Sequence, residues 1–476
     1  MQQIGTFQDR FGLPLSTGSA AAAERYVDGI DRVLSAAVDA ELSLMDAISA
    51  DEGFAMAHAA LAPRLQLQGK TDAAKASAAR ARELTGGLTR RERQHVEVIA
   101  TAVNGDSPRA LALAREHLAE FPRDGAILQQ ASSLIAGSGA RDRREQRLAL
   151  HERLAPQYGD DWWFLGSHGF ACHELDLFER SRTLSERSLE LCPQNSNASH
   201  NLAHVFYETS DHTGGVDFLG GWLAGYAWRA PFHCHLSWHL ALFELTLGHY
   251  RRAMEIYERD ITPALVESRT TLEDAASLLW RCELYGCAEA PLPWGAVRDL
   301  AARATARAGV AFADVHAALA YAAVCDEAAL GRLIDALREL EARGNGLAGG
   351  VVLPLVQGIG AFGQGEYEAA IRLLEPIAGQ FVRVGGSHAQ REVFEDTLLE
   401  ACLRAGRFEQ SESLLRERLN RRPSARDYFW RGRAEAGSGA TEAAASSLRE
   451  SLQRWRGADL DSPEIAALNQ LAAVRT

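Results

Sequence analysis

The chain has 476 residues, 47% of them hydrophobic, and a formal net charge of −13. That length and apolar share suffice to bury a large core, while the acidic balance argues against a general binder of nucleic acid or of an acidic membrane, which needs a basic face. Seven scattered cysteines form no CxxC pattern, the first residues carry no signal-peptide pattern, and no apolar run reaches the ~18 residues of a membrane helix, so a cytoplasmic chain with reduced thiols is expected.

Residues 1–22 are punctuated by Gly, Ser and Ala and read as an N-terminal arm. From residue 23 to 476 Ala, Leu, Glu and Arg dominate, with apolar residues at helical spacing and few alternating strand patterns. One element recurs. Gly248-His-Tyr250-Arg-Arg-Ala253 matches Gly365-Glu-Tyr367-Glu-Ala-Ala370 and Gly406-Arg-Phe408-Glu-Gln-Ser411. Weaker copies begin at Gly69, Asp176 and Gly439. Each lies between two amphipathic helical stretches, as in the turn of a tetratricopeptide repeat (TPR), where Gly ends the first helix, an aromatic packs across the pair and a small residue allows close approach. The expectation is an all-α, right-handed α-solenoid of about eleven TPR-like antiparallel helix pairs. The joint 288–300, with Pro291 and Pro293, and the stretch Gly344 to Gly350 read as irregular connections. The glycine-rich segment Gly214 to Pro231 reads as a departure from a plain second helix, with room for a loop.

A histidine-rich central segment, residues 160–290, carries the chemistry. His200 and His204 are four apart, as are His235 and His239, so each pair presents both rings on one helix face; Glu208 extends the first row by a turn. In TPR arrays the first helix of each pair lines the concave face. Counting from the turn positions assigns these residues there, together with Trp163, His173, Trp238, Trp280, Arg281 and His316. Four imidazoles and a carboxylate on adjacent first helices, about 10 Å apart, are expected to share one cavity. The bland alternative is a set of hydrogen-bonded histidines inside a packed solenoid. Cys234 reads as a packed thiol rather than a nucleophile, because its neighbours His233 and His235 point elsewhere on a helix. Arg281 is either an internal ion-pair partner of Asp274, two turns away, or a clamp for a ligand carboxylate or phosphate. Gly385-Gly386-Ser387-His388 precedes a helix expected near Gln390; it is either an anion-holding junction or a helix cap by Ser387. The runs Arg141 to Arg147 and Arg416 to Arg422 read as solvated helix faces.

Several stretches together resemble the tetratricopeptide repeat protein 38-like family: His200-Asn-Leu-Ala-His204-Val, His235-Leu-Ser-Trp238-His239, Asp274 to Arg281, His316-Ala-Ala-Leu-Ala-Tyr321 and Gly386-Ser-His388-Ala-Gln-Arg391-Glu-Val-Phe394. The resemblance covers roughly residues 160–433 and departs at Ser210, which stands where the turn glycine is expected. It implies a TPR-like solenoid, brings no settled reaction, and adds His388 and Arg391 to the candidate ligand-binding residues.

Two function classes remain. The first is a solenoid whose concave histidine pocket binds, and through His200, His204, Glu208, His235 and His239 transforms, a small organic anion by acid–base or metal-assisted chemistry. The alternative is a non-catalytic scaffold that binds a peptide or protein in its groove. If a divalent metal is held, the ligands expected are His200, His204, His235 and His239; no nucleotide cofactor is expected, since no Rossmann fingerprint or Walker loop is present. The expected partners are a small molecule or a peptide, without nucleic acid or membrane, and a homodimer follows if a terminal repeat is left uncapped.

Overall fold

The computed structural model describes residues 7–286, 291–460, 462, 464 and 465. The first six residues of the expected arm, Cys287 and positions 288–290 of the expected joint lie outside them. Among the described residues the structure is helical, with a single isolated bridge between Gln8 and Pro14. No helix there is long and apolar enough to cross a membrane. The chain divides into two compact units.

Unit one comprises Met1–Val205 and Gly225–Phe232. It contains α1 (Ala20–Ser35), α2 (Ala40–Ala50), α3 (Ala55–Leu67), α4 (Thr71–Glu83), α5 (Arg90–Val103), α6 (Ser107–Glu120), α7 (Gly125–Ala136), α8 (Arg143–Tyr158), α9 (Trp162–His173) and α10 (Phe178–Leu191). It also holds most of α11 (Ser196–Glu208). Successive helices from α1 to α10 pack as five pairs. Phe11 and Leu15, ahead of α1, are buried in this unit's core. The Phe11 ring meets Tyr158 and Trp163 edge-on, at 5.7 and 6.0 Å between centroids. The first helix also closes on the last: Ser196 Oγ and Asn197 Nδ2 donate to the carbonyls of Ser35 and Leu34 at 2.7 and 2.8 Å, and Tyr226 donates to the Ala36 carbonyl at 2.8 Å.

Unit two comprises Phe206–Ala224 and His233–Thr476. After the end of α11 come α12 (His212–Leu223), α13 (His233–Leu247), α14 (Tyr250–Ile256), α15 (Arg269–Tyr285), α16 (Trp294–Ala304), α17 (Ala311–Ala323) and α18 (Glu327–Ala342). Then follow α19 (Leu353–Gly363), α20 (Tyr367–Leu374), α21 (His388–Arg404), α22 (Phe408–Arg421), α23 (Ala425–Gly437) and α24 (Thr441–Arg454). Successive helices from α13 to α24 pack as six further pairs.

The repeat turns explain the pattern. Gly69, Gly248, Gly365, Gly406 and Gly439 all have φ between 73° and 84°, the left-handed region that a side chain opposes. Asp176 and Ser210 adopt the same conformation at φ 59° and 60°, so Ser210 fills the turn position where glycine is expected.

The stretch Gly214 to Pro231 is part helix and part loop: Gly214 to Leu223 lies within α12, capped by Asp211, and 224–232 is irregular. Gly215 serves packing: a Cβ there would stand 2.6 Å from the Phe243 ring on α13. Gly215→Ala is therefore expected to destabilise by about 1–3 kcal/mol through overpacking, readable as a lower urea midpoint with helicity retained.

Candidate functional site

In unit one, His200 and His204 share a face of α11, and their Nε2 atoms are 3.0 Å apart. The His173 ring lies 5.0 Å from that of His204. Trp163 is 3% exposed and belongs to the aromatic core with Phe11 and Tyr158.

In unit two, α13 presents His235, Trp238 and His239. His235 stacks on Trp238 at 5.4 Å and meets His239 edge-on at 4.9 Å. His235 Nδ1 lies 3.0 Å from both Asp274 carboxylate oxygens on α15. Asp274 is thus taken by histidine, and the ion pair with Arg281 considered from the sequence does not form. Arg281 is 2% exposed. It donates to the Ser277 side chain and to the Ala389 carbonyl, and its guanidinium stands 5.9 Å from the Trp238 ring. Trp280 donates its indole N–H to Thr397 Oγ1 at 2.9 Å and packs on Trp294 and Phe362, which makes it core. His316 donates to the Phe312 carbonyl at 2.7 Å.

Burial governs the protonation of several of these groups. Burial, against the Phe312 hydrogen bond, lowers His316 to about 4, and burial lowers His212 to about 3, so both rings are neutral at pH 7. The Cys234 thiol is pushed up by burial and by Asp274, which suits the packed-thiol reading.

Within unit two, several candidates converge on α21. Ser387 caps this helix in a capping box with Gln390, so the Gly-Gly-Ser-His junction is a cap, starting at His388. His388 Nδ1 lies 3.0 Å from Glu208 Oε1, joining two candidates 180 residues apart. One turn on, Glu392 accepts from Tyr207, from Arg422 Nη2 at 2.5 and 2.6 Å and from Arg418 Nη2 at 3.3 Å. The Arg422 guanidinium covers the Tyr207 ring at 4.1 Å. Arg418 also pairs with Asp396 at 2.7 Å and Asp427 at 3.0 Å. Arg391 donates to the carbonyls of Gly385 and Gly386. The reading of Arg416 to Arg422 as a solvated face is corrected: Arg418 and Arg422 are buried, and Arg416 and Arg421 are exposed. Arg418 on α22 and Arg422, its extended C-cap, face the α21 carboxylates Glu392 and Asp396, which are one turn apart. A cavity of about 30 Å³ between these groups has room for a water.

Burial would push the Glu208 carboxyl up, but the His388 hydrogen bond and charge, with Arg422 behind, hold it below its ordinary 4.5. A depressed folded value contributes stability that is present above pH 4.5 and lost as pH falls through the folded value. Glu208→Gln is expected to flatten the acid limb of a melting-temperature profile below pH 5 or so and leave the neutral limb nearly level.

Next to this network lies an open cavity of about 320 Å³. Phe381, Leu398 and Leu414 supply an apolar wall; His388, Arg391 and Arg421 supply a basic rim, with Glu395 and Glu417 also present. The Nε2 of His388 is buried and has no hydrogen-bond partner among the described residues. Only His388 and Arg391 of this lining stood among the sequence candidates. The signal that would have found the arginines is their spacing against Glu392 and Asp396.

No family model matches the chain. Among solved structures it is similar to a human IFIT1 dimer with m7Gppp-AAAA, at 14% identity over 94% of this chain and 98% of that one, with a TM-score of 0.38. A monomeric IFIT1 mutant with Gppp-AAAA matches over the same shares at 14% identity and a TM-score of 0.39. Those proteins are seen with capped RNA, which corrects the expectation that nucleic acid is excluded as a partner. The exclusion rested on net charge, a sum over the whole chain, and a local basic rim exists whatever that sum is.

Proposed function

We propose that the chain is a non-catalytic, TPR-like binding scaffold that holds a peptide or protein partner, with the cavity beside α21 and α22 receiving an apolar side chain and a carboxylate. The observation that carries this reading is the cavity's composition: an apolar wall facing a histidine and arginines, at a volume of about 320 Å³ that suits one or two side chains. Neutral, buried His212 and His316 and a thiol pushed away from ionisation favour binding over acid–base or nucleophilic chemistry. The motifs shared with the tetratricopeptide repeat protein 38-like family are part of the same reading, as is a reducing, cytoplasmic location, supported by six free cysteines among the described residues.

The test is fluorescence anisotropy with two probe sets. One set is short peptides ending in an apolar residue, as free acid and as amide. The other is oligoadenylate RNA with and without a 5′ cap. Saturable binding of the acid over the amide, weakened about tenfold by Arg421→Glu through reversal of a rim charge, is the expected result. RNA binding without peptide binding, or indifference to Arg421→Glu, would overturn it.

A further inference from the structure

We propose that unit one holds a divalent transition-metal ion of the zinc type at His95 Nδ1, His117 Nε2 and Asp124 Oδ2. This site is separate from the binding cavity and uses none of the histidines that the sequence put forward as ligands. His95 lies on α5, His117 on α6, and Asp124 caps α7, accepting the Ile127 N–H through Oδ1 at 3.4 Å. The three helices pack on one another, and the three side chains are at most 3% exposed. Their ligand atoms all lie within 4.8 Å of one another.

The hydrogen bonds around His117 carry the inference. Gln94 donates its amide Nε2 to Glu120 at 3.4 Å, which turns its oxygen toward His117 Nδ1 at 3.1 Å. With Nδ1 engaged by that oxygen, Nε2 is the ring atom turned to Asp124 Oδ2, at 3.0 Å, and His95 Nδ1 faces the same oxygen at 2.9 Å. Two imidazole nitrogens and a carboxylate oxygen thus converge on one buried point, a donor set that suits a single cation. The orienting acceptor behind His117 is the usual companion of a metal-bound imidazole.

Charge points the same way. Glu92 and Asp124 are buried and Asp9 is half-buried here, and Arg91 is the one guanidinium within ion-pair distance of Asp9 and Asp124 among the described residues. Arg91 competes for Oδ2 but stands farther off, at 3.4 Å. With metal–ligand bonds of about 2.0–2.1 Å, tetrahedral neighbours stand about 3.3 Å apart, so the side chains need open only by tenths of an ångström. Two imidazoles and a carboxylate suit zinc, and such an ion would staple three helices.

The experiment uses the full chain, stripped by a chelator and titrated with Zn²⁺ alone against a chromophoric competitor, then with Co²⁺ for its ligand-field bands. One equivalent of zinc is expected, with tetrahedral Co²⁺ bands and a melting temperature that rises with the logarithm of free zinc. His95→Ala and His117→Ala should lose all three while retaining helicity. Gln94→Leu leaves the ligands in place and removes only the orienting acceptor; it should weaken zinc binding roughly 10–100-fold, which keeps the test sound if an alanine variant fails to fold. No zinc uptake by the folded wild type, uptake that survives both histidine substitutions, or a Gln94→Leu chain of unchanged affinity would overturn the site.

Discussion

Glu392→Met is expected to cost about 3–5 kcal/mol of unfolding free energy. Glu392 is 4% exposed and accepts from Tyr207, Arg418 and Arg422. Burial alone would push its carboxyl up; Arg422, Arg418 and His388 instead hold it well below the usual carboxylate range, so it stays ionised. Removing it strands the Arg422 guanidinium, 5% exposed, with no other carboxylate within ion-pair distance among the described residues. Arg418 keeps Asp396 and Asp427 and suffers less. The double variant Glu392→Met with Arg422→Met should recover most of the loss, because an apolar pair of similar volume carries no desolvation cost. Urea unfolding of the two variants decides the matter. A double variant no better than the single one would mean that the network acts through Tyr207 and not through charge.

The second large effect is expected at Asp124→Ala in unit one, again about 3–5 kcal/mol, measured on metal-free protein. Asp124 gathers His95, His117 and Arg91 and also caps α7. Burial would push its carboxyl up, but these neighbours hold it well below its ordinary 3.8. Asp124→Asn keeps a capping oxygen and loses only the charge, so the difference between the two variants isolates the cap, worth ~1 kcal/mol. Equal losses would assign the whole effect to charge.

The repeat was legible because its punctuation is physical. A glycine or a tolerated Asp or Ser must sit at each left-handed turn, and that requirement survives in the letters at Gly248, Gly365 and Gly406. Once the turns are placed, helical arithmetic assigns His235, Trp238, Arg281 and His316 to first helices, and the Glu208–His388 contact joins two candidates that no local pattern connects. The burial of Arg418 and Arg422 was not legible. A basic run on one helix looks solvated until the carboxylates opposite it, on another helix, are known. The His95, His117 and Asp124 trio was hidden for the same reason: three separate helices contribute one residue each, and no short spacing unites them. In the glycine-rich stretch, composition pointed to irregular chain, which holds for 224–232, whereas Gly215 within α12 answers to close contact with Phe243.

The bonds from Ser196, Asn197 and Tyr226 to the carbonyls of residues 34–36 bear on how the chain folds. In an open repeat array contacts are local, folding nucleates anywhere, and each added repeat is stable as it arrives. Here the earliest helix needs partners that emerge from the ribosome some 160 to 190 residues later. Loop closure over that span raises the contact order and slows the final step. The first half of the chain therefore spends its synthesis with the end of α1 unsealed, and its cooperative locking waits for the stretch around Tyr226.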